Sequence, residues 1–263
     1  MISGIFHSGS GLGNQLHRYV ATRVLAKDKG YEFSMVAPEN FKGKSFMNLD
    51  MGLSNPLPYI TEMPEGKVCA VEWFGNKEAI KLDVWEEKTN YYNPEFNFIE
   101  DNTIIDGEFQ DERYFGHRLN EVDEWLNAEA LKISNRKCII GFRGGEFALF
   151  PELFLTKEYW NEAINLMKKK CHYLEFEVHT DDVELAQQFF PGYECIHDIG
   201  LNWRSVRNAR YAIIANSSFY ILPRLLKHHG DVEAVTIAPR FWARRNTKEW
   251  SMPQNFYKKF THI

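Results

Sequence analysis

Between residues 138 and 238, apolar runs of strand length alternate with amphipathic stretches of helix length, and this alternation constrains the fold more than any other feature of the chain. Strands are predicted at Cys138–Phe142, Glu175–His179, Tyr193–His197, Tyr211–Ala215 and Ala234–Ala238. Helices are predicted between them at Lys157–Lys169, Val183–Phe190, Trp203–Ala209 and Ser218–His228. Apolar strands that take turns with helices build a doubly wound α/β fold with a parallel sheet, and ligands of such a sheet bind outside the carboxyl ends of its strands.

The amino-terminal part opens in the same way. Ile2–Phe6 predicts a strand, a glycine loop follows, and Leu16–Lys29 predicts a helix with Leu16, Tyr19, Val20, Val24 and Leu25 on its apolar face, closed by Gly30. Tyr31–Val36 returns as a strand, giving the β-loop-α-β start of a Rossmann-type half. Residues 37–100 are broken by Pro38, Pro56, Pro58, Pro64 and Pro94, and the aromatics Trp73, Phe74, Trp85, Tyr91 and Tyr92 show no period, so an irregular region with short strands is expected. Thr103–Asp106 predicts another strand and Arg118–Ile133 a helix bridging to the second half, with a boundary near residue 135.

A chain of 263 residues, 44% hydrophobic and 25% charged, can bury one large core or two modest ones. No stretch approaches the roughly 18 apolar residues of a membrane span, and the first residues lack the features of a leader, so a cytoplasmic protein without an integral membrane segment is expected. Cys69, Cys138, Cys171 and Cys195 are too widely spaced to suggest a zinc site or a disulfide framework. The net charge of -5 conceals an asymmetry: residues 201–263 carry eleven Lys and Arg against three acids. Without a nucleic-acid motif, that basic segment suits an anionic small ligand or forms a solvated face.

Three loops at strand ends carry residues suited to a sugar nucleotide: Gly9-Ser10-Gly11-Leu12-Gly13-Asn14-Gln15-Leu16, Gly141-Phe142-Arg143-Gly144-Gly145-Glu146-Phe147 and Asn216-Ser217-Ser218-Phe219. Glycines let backbone N–H groups approach phosphate, an Arg can clamp a diphosphate bidentately, and Asn-Ser-Ser before a helix presents hydroxyls and helix-terminal amides. The first loop is not a dinucleotide fingerprint, because Asn14 stands where GxGxxG requires its third glycine and Val36 is followed by Ala37-Pro38-Glu39 rather than by an acid. The alternative for Arg143 is a structural ion pair with Glu146 or a nearby acid, and for Asp181-Asp182 a helix N-cap.

In these motifs the chain resembles the inverting GDP-fucose-dependent fucosyltransferases, in particular the bacterial-type α-1,2-fucosyltransferases. Gly11-Leu12-Gly13-Asn14-Gln15-Leu16 is similar to the family's GLGNQL, and Gly107-Glu108-Phe109-Gln110-Asp111-Glu112-Arg113-Tyr114-Phe115 to its GYFQSxKYF. Arg143-Gly144-Gly145-Glu146-Phe147 falls where the family has HxRRGDY, Phe176 to Asp182 resembles the strand ending in Ser-Asp-Asp, and Ile213 to Phe219 matches the start of IIANSSFSWW. The blocks occur in the same order over nearly the whole chain.

The resemblance implies two Rossmann-like halves in a GT-B-like arrangement with the nucleotide-sugar site in the cleft. It implies an acceptor-side half over residues 1–135 and a GDP-sugar-binding half over 136–263. It further implies inverting transfer of L-fucose from GDP-fucose to a hydroxyl of a glycan acceptor, with no cofactor and no essential metal. Carried over by position, Arg143 holds the diphosphate, Ser217 and Ser218 add phosphate contacts beside Asn216 and Phe219, and Asp181 or Asp182 recognises the guanine edge. Gly11, Gly13, Asn14 and Gln15 then face the transferred sugar. This sequence departs from the pattern at Gly141 for His, Gly144 for the second Arg and Glu146 for Asp, and Tyr220-Ile221 follows Phe219 instead of an ending in Trp-Trp. These departures leave open another nucleotide-sugar donor, or a nucleotide- or glycan-binding protein without turnover. Glu146 is the favoured base for the acceptor hydroxyl, with Asp111, Glu112, His7 and His17 as other candidates.

Overall fold

The computed structural model describes residues 1–57, 70–73, 76–81, 83–86, 92–245, 249–251 and 257–263. Pro58, Pro64, Cys69, Phe74, Tyr91 and Lys248 lie outside the described residues, as do the side chains of Trp73, Trp85, Arg244 and Arg245. Two compact units account for the described chain: Met1–Lys44 with Asn48–Leu126, and Ser45–Met47 with Asn127–Ile263.

In the first unit the elements are β1 (Ile2–Ile5), α1 (Leu12–Lys29), β2 (Phe33–Val36), β3 (Ala70–Trp73), β4 (Asn76–Lys81), β5 (Asp83–Glu86), β6 (Thr103–Asp106) and α2 (Leu119–Leu126). The sheet runs β2-β1-β6-β5 with every neighbouring pair parallel, while β3 and β4 pair antiparallel. Helix α1 packs on β1 through Leu16, Tyr19, Val20, Val24 and Leu25, all buried as their spacing requires. Gly30 ends it at φ 71°, a left-handed geometry that costs glycine nothing, and donates to the Ala26 and Lys27 carbonyls.

Two boundaries differ from expectation. Helix α1 begins at Leu12, four residues ahead of its apolar pattern, so Asn14 and Gln15 sit in its first turn. Helix α2 stops at Leu126 and does not continue to Ile133: Asn127 adopts φ 40°, and residues 127–133 contain no buried position. A segment without an apolar face to bury gains no packing to sustain a helix.

The second unit comprises β7 (Lys137–Phe142), α3 (Lys157–Lys170), β8 (Glu175–Thr180), α4 (Val183–Phe189), β9 (Glu194–Ile196), α5 (Ile199–Asn208), β10 (Tyr211–Ile214), α6 (Ser218–Gly230), β11 (Val235–Ala238), β12 (Ala243–Arg245), β13 (Glu249–Ser251) and β14 (Thr261–His262). Its six-stranded sheet runs β9-β8-β7-β10-β11-β14, entirely parallel. Counted in order along this unit, that is the Rossmann order 3-2-1-4-5-6, which reverses direction between β7 and β10. Helix α5 starts four residues earlier than predicted because the Asp198 carboxylate accepts the Leu201 N–H at 2.6 Å and caps it. Strand β14 adds a sixth member that periodicity did not reveal. Phe142, Trp160 and Phe190 meet at ring distances of 5.4 Å in the core, and Phe46, from the short Ser45–Met47 stretch, lies 6.3 Å from Trp203. Among the described residues, no helix is long and apolar enough to cross a membrane.

Candidate functional site

The strand order of the second sheet reverses between β7 and β10, the place where such sheets bind their ligands, and two of the three sequence motifs follow the carboxyl ends of these strands. Gly141 pairs with Ile214 across the two strands and its carbonyl accepts the Ala215 N–H at 2.9 Å. Two residues beyond these partners come Arg143 on one side and Asn216-Ser217-Ser218 on the other.

Arg143 is half-buried between two carboxylates. Nη1 is hydrogen-bonded to Asp181, Nη2 donates to Glu146 Oε1 at 3.1 Å, and the guanidinium carbon lies 5.1 Å from the centre of the Phe147 ring. Asp181 also accepts the Gly144 N–H at 2.8 Å, so this carboxylate orients both the guanidinium and the loop that carries it. The structural ion pair anticipated from sequence is therefore present, with Asp181 joining Glu146. Glu146 is 69% exposed, whereas Asp182 caps α4 by accepting the Leu185 N–H at 3.0 Å.

On the β10 side, Ser217 is the N-cap of α6 with no side-chain capping bond, and the positive end of this 13-residue helix lies at the carboxyl edge of the sheet. Ser218 opens the helix, and Phe219 stands edge-on to Tyr220 with ring centres 5.2 Å apart. Asn216 is 3% exposed. Its Nδ2 donates to the Leu153 carbonyl at 3.0 Å and to the Trp242 carbonyl, while its Oδ1 is buried without a partner among the described residues.

The third motif lies in the first unit, at the carboxyl edge of its own sheet. Gly11 is the N-cap of α1 and Gly13 lies within the helix. Asn14 Oδ1 accepts from Gln110 at 3.1 Å, and Arg18 donates to Gly107 O at 2.6 Å, to Ser10 at 2.8 Å and to Glu108 at 2.8 Å. His7 Nε2 contacts both oxygens of Asp106, at 2.9 and 3.0 Å. Gln15 is spent on the fold: fully buried, it donates to Asn40 O at 2.9 Å and accepts the Lys42 N–H at 2.9 Å, which fastens α1 to the loop after β2 and corrects the expectation that it faces a sugar.

Two candidate bases are also accounted for structurally. His17 is completely buried with Nδ1 bonded to the Gly13 carbonyl at 2.8 Å, and burial lowers its pKa to about 4. A neutral core imidazole out of reach of solvent cannot serve an acceptor. Asp111 is buried and holds Arg113 through Nε at 2.9 Å and Nη2 at 2.5 Å.

Sequence reasoning missed the reason for Gly141. A Cβ there would stand 2.8 Å from the Tyr220 ring, so the ring occupies the space that any larger residue at 141 would need. The Tyr220 hydroxyl donates to the Phe142 carbonyl at 2.9 Å and lies 3.2 Å from that of His179, joining the ends of β7 and β8 just before Arg143 and Asp181. The paired departures at 141 and 220 were visible in sequence, yet only contact shows them to be one feature. The basic carboxyl-terminal segment also resolves in part: Arg224 is buried and holds the carbonyls of Val206 at 2.9 Å and Ala209 at 2.6 Å, while Arg210 and Lys227 pair with Asp231. Among the described residues no cluster of His, Cys, Asp or Glu could hold a metal ion.

No family model matches the chain. It is 29% identical over 163 residues to the alpha-1,2-colitosyltransferase of Escherichia coli, a match covering 53% of this chain and 56% of that protein, so the likeness extends over little more than half the relative's length. A solved structure of an Arabidopsis thaliana FUT1 mutant in complex with GDP superimposes with a TM-score of 0.50 at 11% identity, covering 86% of this chain and 68% of that one. The E. coli heptosyltransferase WaaC with ADP covers 100% of this chain and 93% of its own at a TM-score of 0.48 and 12% identity. At these identities the structural likeness is one of fold: two Rossmann-like units of the GT-B-like class found in glycosyltransferases.

Proposed function

We propose that this chain is an inverting glycosyltransferase that moves L-fucose, or a close 6-deoxy relative, from a GDP-linked donor to a glycan hydroxyl in α-1,2 linkage. The observation carrying this reading is the convergence of Arg143 and the α6 amino terminus on the reversal point of a Rossmann-ordered sheet. A guanidinium and oriented amides supply the field that stabilises a departing nucleoside diphosphate without a metal ion. The partial likeness to a colitosyltransferase favours a deoxyhexose donor. In this reading Arg143 exchanges Asp181 or Glu146 for the diphosphate, and the second unit holds the donor while the first receives the acceptor.

A second reading, a nucleotide binder without turnover, draws on the fact that Arg143 is already paired by two carboxylates. Calorimetric titration with GDP, GDP-fucose, UDP, ADP and NAD in the presence of EDTA tests the first reading. Selective GDP binding that weakens roughly 10- to 100-fold in Arg143→Ala, as loss of a charged hydrogen-bonding group demands, is the expected result. Tighter UDP, ADP or NAD binding would refute the donor assignment, and GDP-fucose binding with no turnover on any glycan acceptor would favour the binder.

A further inference from the structure

His7 and Asp106 stand at the carboxyl ends of neighbouring strands of the first sheet. Asp106 is the last residue of β6, and His7 lies two residues beyond Ile5, the end of β1. In the order β2-β1-β6-β5, the chain leaves β1 for β2 on one side and reaches β6 from β5 on the other. A change of direction of this kind is where parallel sheets hold ligands.

The contact between the two side chains fixes the chemistry of the imidazole. Nε2 meets both Asp106 oxygens, at 2.9 and 3.0 Å, and an ionised carboxylate can only accept, so Nε2 carries the proton and Nδ1 the lone pair. Arg18 of α1 backs the carboxylate: its Nε lies 3.9 Å from Asp106 Oδ1, and its side chain is buried and fixed on Gly107 O, Ser10 and Glu108. The His7 side chain is 35% exposed, whereas His17 is completely buried, Asp111 is engaged by Arg113 and Glu146 by Arg143. Among these four candidate bases, His7 alone joins an oriented basic nitrogen to access from solvent.

We propose that His7 is the general base of the transfer and that Asp106 is its positioning residue. The assignment rests on the transferase reading above and adds to it the group that receives the proton. As the acceptor oxygen bonds to the anomeric carbon and the bond from that carbon to the diphosphate oxygen breaks, the hydroxyl proton passes to Nδ1. The imidazolium faces Asp106 through its Nε2–H and then gives the Nδ1 proton to solvent. Asp106 holds the ring and its tautomer and takes no proton itself.

The test follows GDP release from GDP-fucose by the intact chain, with water as acceptor and with lactose, whose galactose ring offers a 2-hydroxyl. His7→Gln should lower kcat by about 100- to 10,000-fold, the range of a lost general base. Its KM for GDP-fucose and its affinity for GDP by calorimetry should be unchanged, which also reports that the variant is folded. Added imidazole should raise the rate of His7→Gly and leave that of the wild type as it is. Asp106→Asn should lower kcat without changing KM, the split expected of a residue that acts through His7. Wild-type kcat in a GDP-binding His7→Gln chain, or a GDP-binding His7→Gly chain that does not respond to imidazole, would overturn the inference. No GDP release by the wild type with either acceptor would instead refute the transferase reading, and this inference with it.

Discussion

Gly141 and Tyr220 form a matched pair, and each constrains what the other can be. With only 2.8 Å between a built Cβ and the ring, Gly141→Ala forces Tyr220 to move, and Tyr220 is anchored by its hydroxyl to the strand ends. Overpacking of this kind costs about 1–3 kcal/mol, and Gly141→Ala should lower the urea midpoint accordingly. Tyr220→Phe tests the other partner: it keeps the ring and removes the donor from two carbonyls, so a smaller loss of about 1 kcal/mol is expected from the same melt. If Gly141→Ala were neutral, the packing account of that position would be wrong. The place of Arg143 immediately beyond the buried strand β7, by contrast, was legible in sequence. What its neighbours do was not legible, since the recruitment of Asp181 depends on β8 lying beside β7, a contact 38 residues away along the chain.

At the scale of elements, the acid sensitivity of α1 follows from His17. The Gly13 carbonyl can only accept, so Nδ1 carries the proton and Nε2 is the bare nitrogen, buried without a partner among the described residues. Burial holds this imidazole neutral down to about pH 4, whereas in the unfolded chain it protonates near 6.5. Between these values the unfolded state binds the extra proton, so the contribution is complete above pH 6.5 and is lost as pH falls towards 4. Its upper limit is about 3 kcal/mol. Urea melts from pH 7 to 4 should show this loss, and His17→Phe should flatten the profile in that window; an unchanged profile would contradict the assignment of a neutral core imidazole. Element existence was readable wherever a period was clean, as in α1 and all nine elements from β7 to β11. Starts were misread at α1 and α5: the Asp198 carboxylate caps α5, whereas Gly11, the N-cap of α1, has no side chain to signal the start. Residues 127–133 look helical by composition, yet with no neighbour to bury against they do not form a helix.

For the whole molecule, the division of labour between units predicts that donor binding belongs to residues 127–263 alone. That fragment should retain GDP affinity within about tenfold of the intact chain, measured by titration, while a fragment ending at Leu126 should bind none. Loss of GDP binding from a folded 127–263 fragment would refute the assignment of the donor to the second unit. The fragment lacks Ser45–Met47, and with it the Phe46 ring beside Trp203, so a reduced melting temperature is expected together with retained binding. The parallel sheets were foreseeable from alternation alone, but the assignment of Ser45–Met47 to the second unit was not, because nothing in three residues signals a partner more than 150 positions away.

That stretch also sets an order of events during synthesis. The ribosome delivers Phe46 early, whereas Gly200 and Trp203, against which it packs, emerge only after roughly 150 further residues, about 8–30 s later at ordinary elongation rates. Until then the side chain of Phe46 waits without the neighbours it has in the second unit, to which Ser45–Met47 belongs.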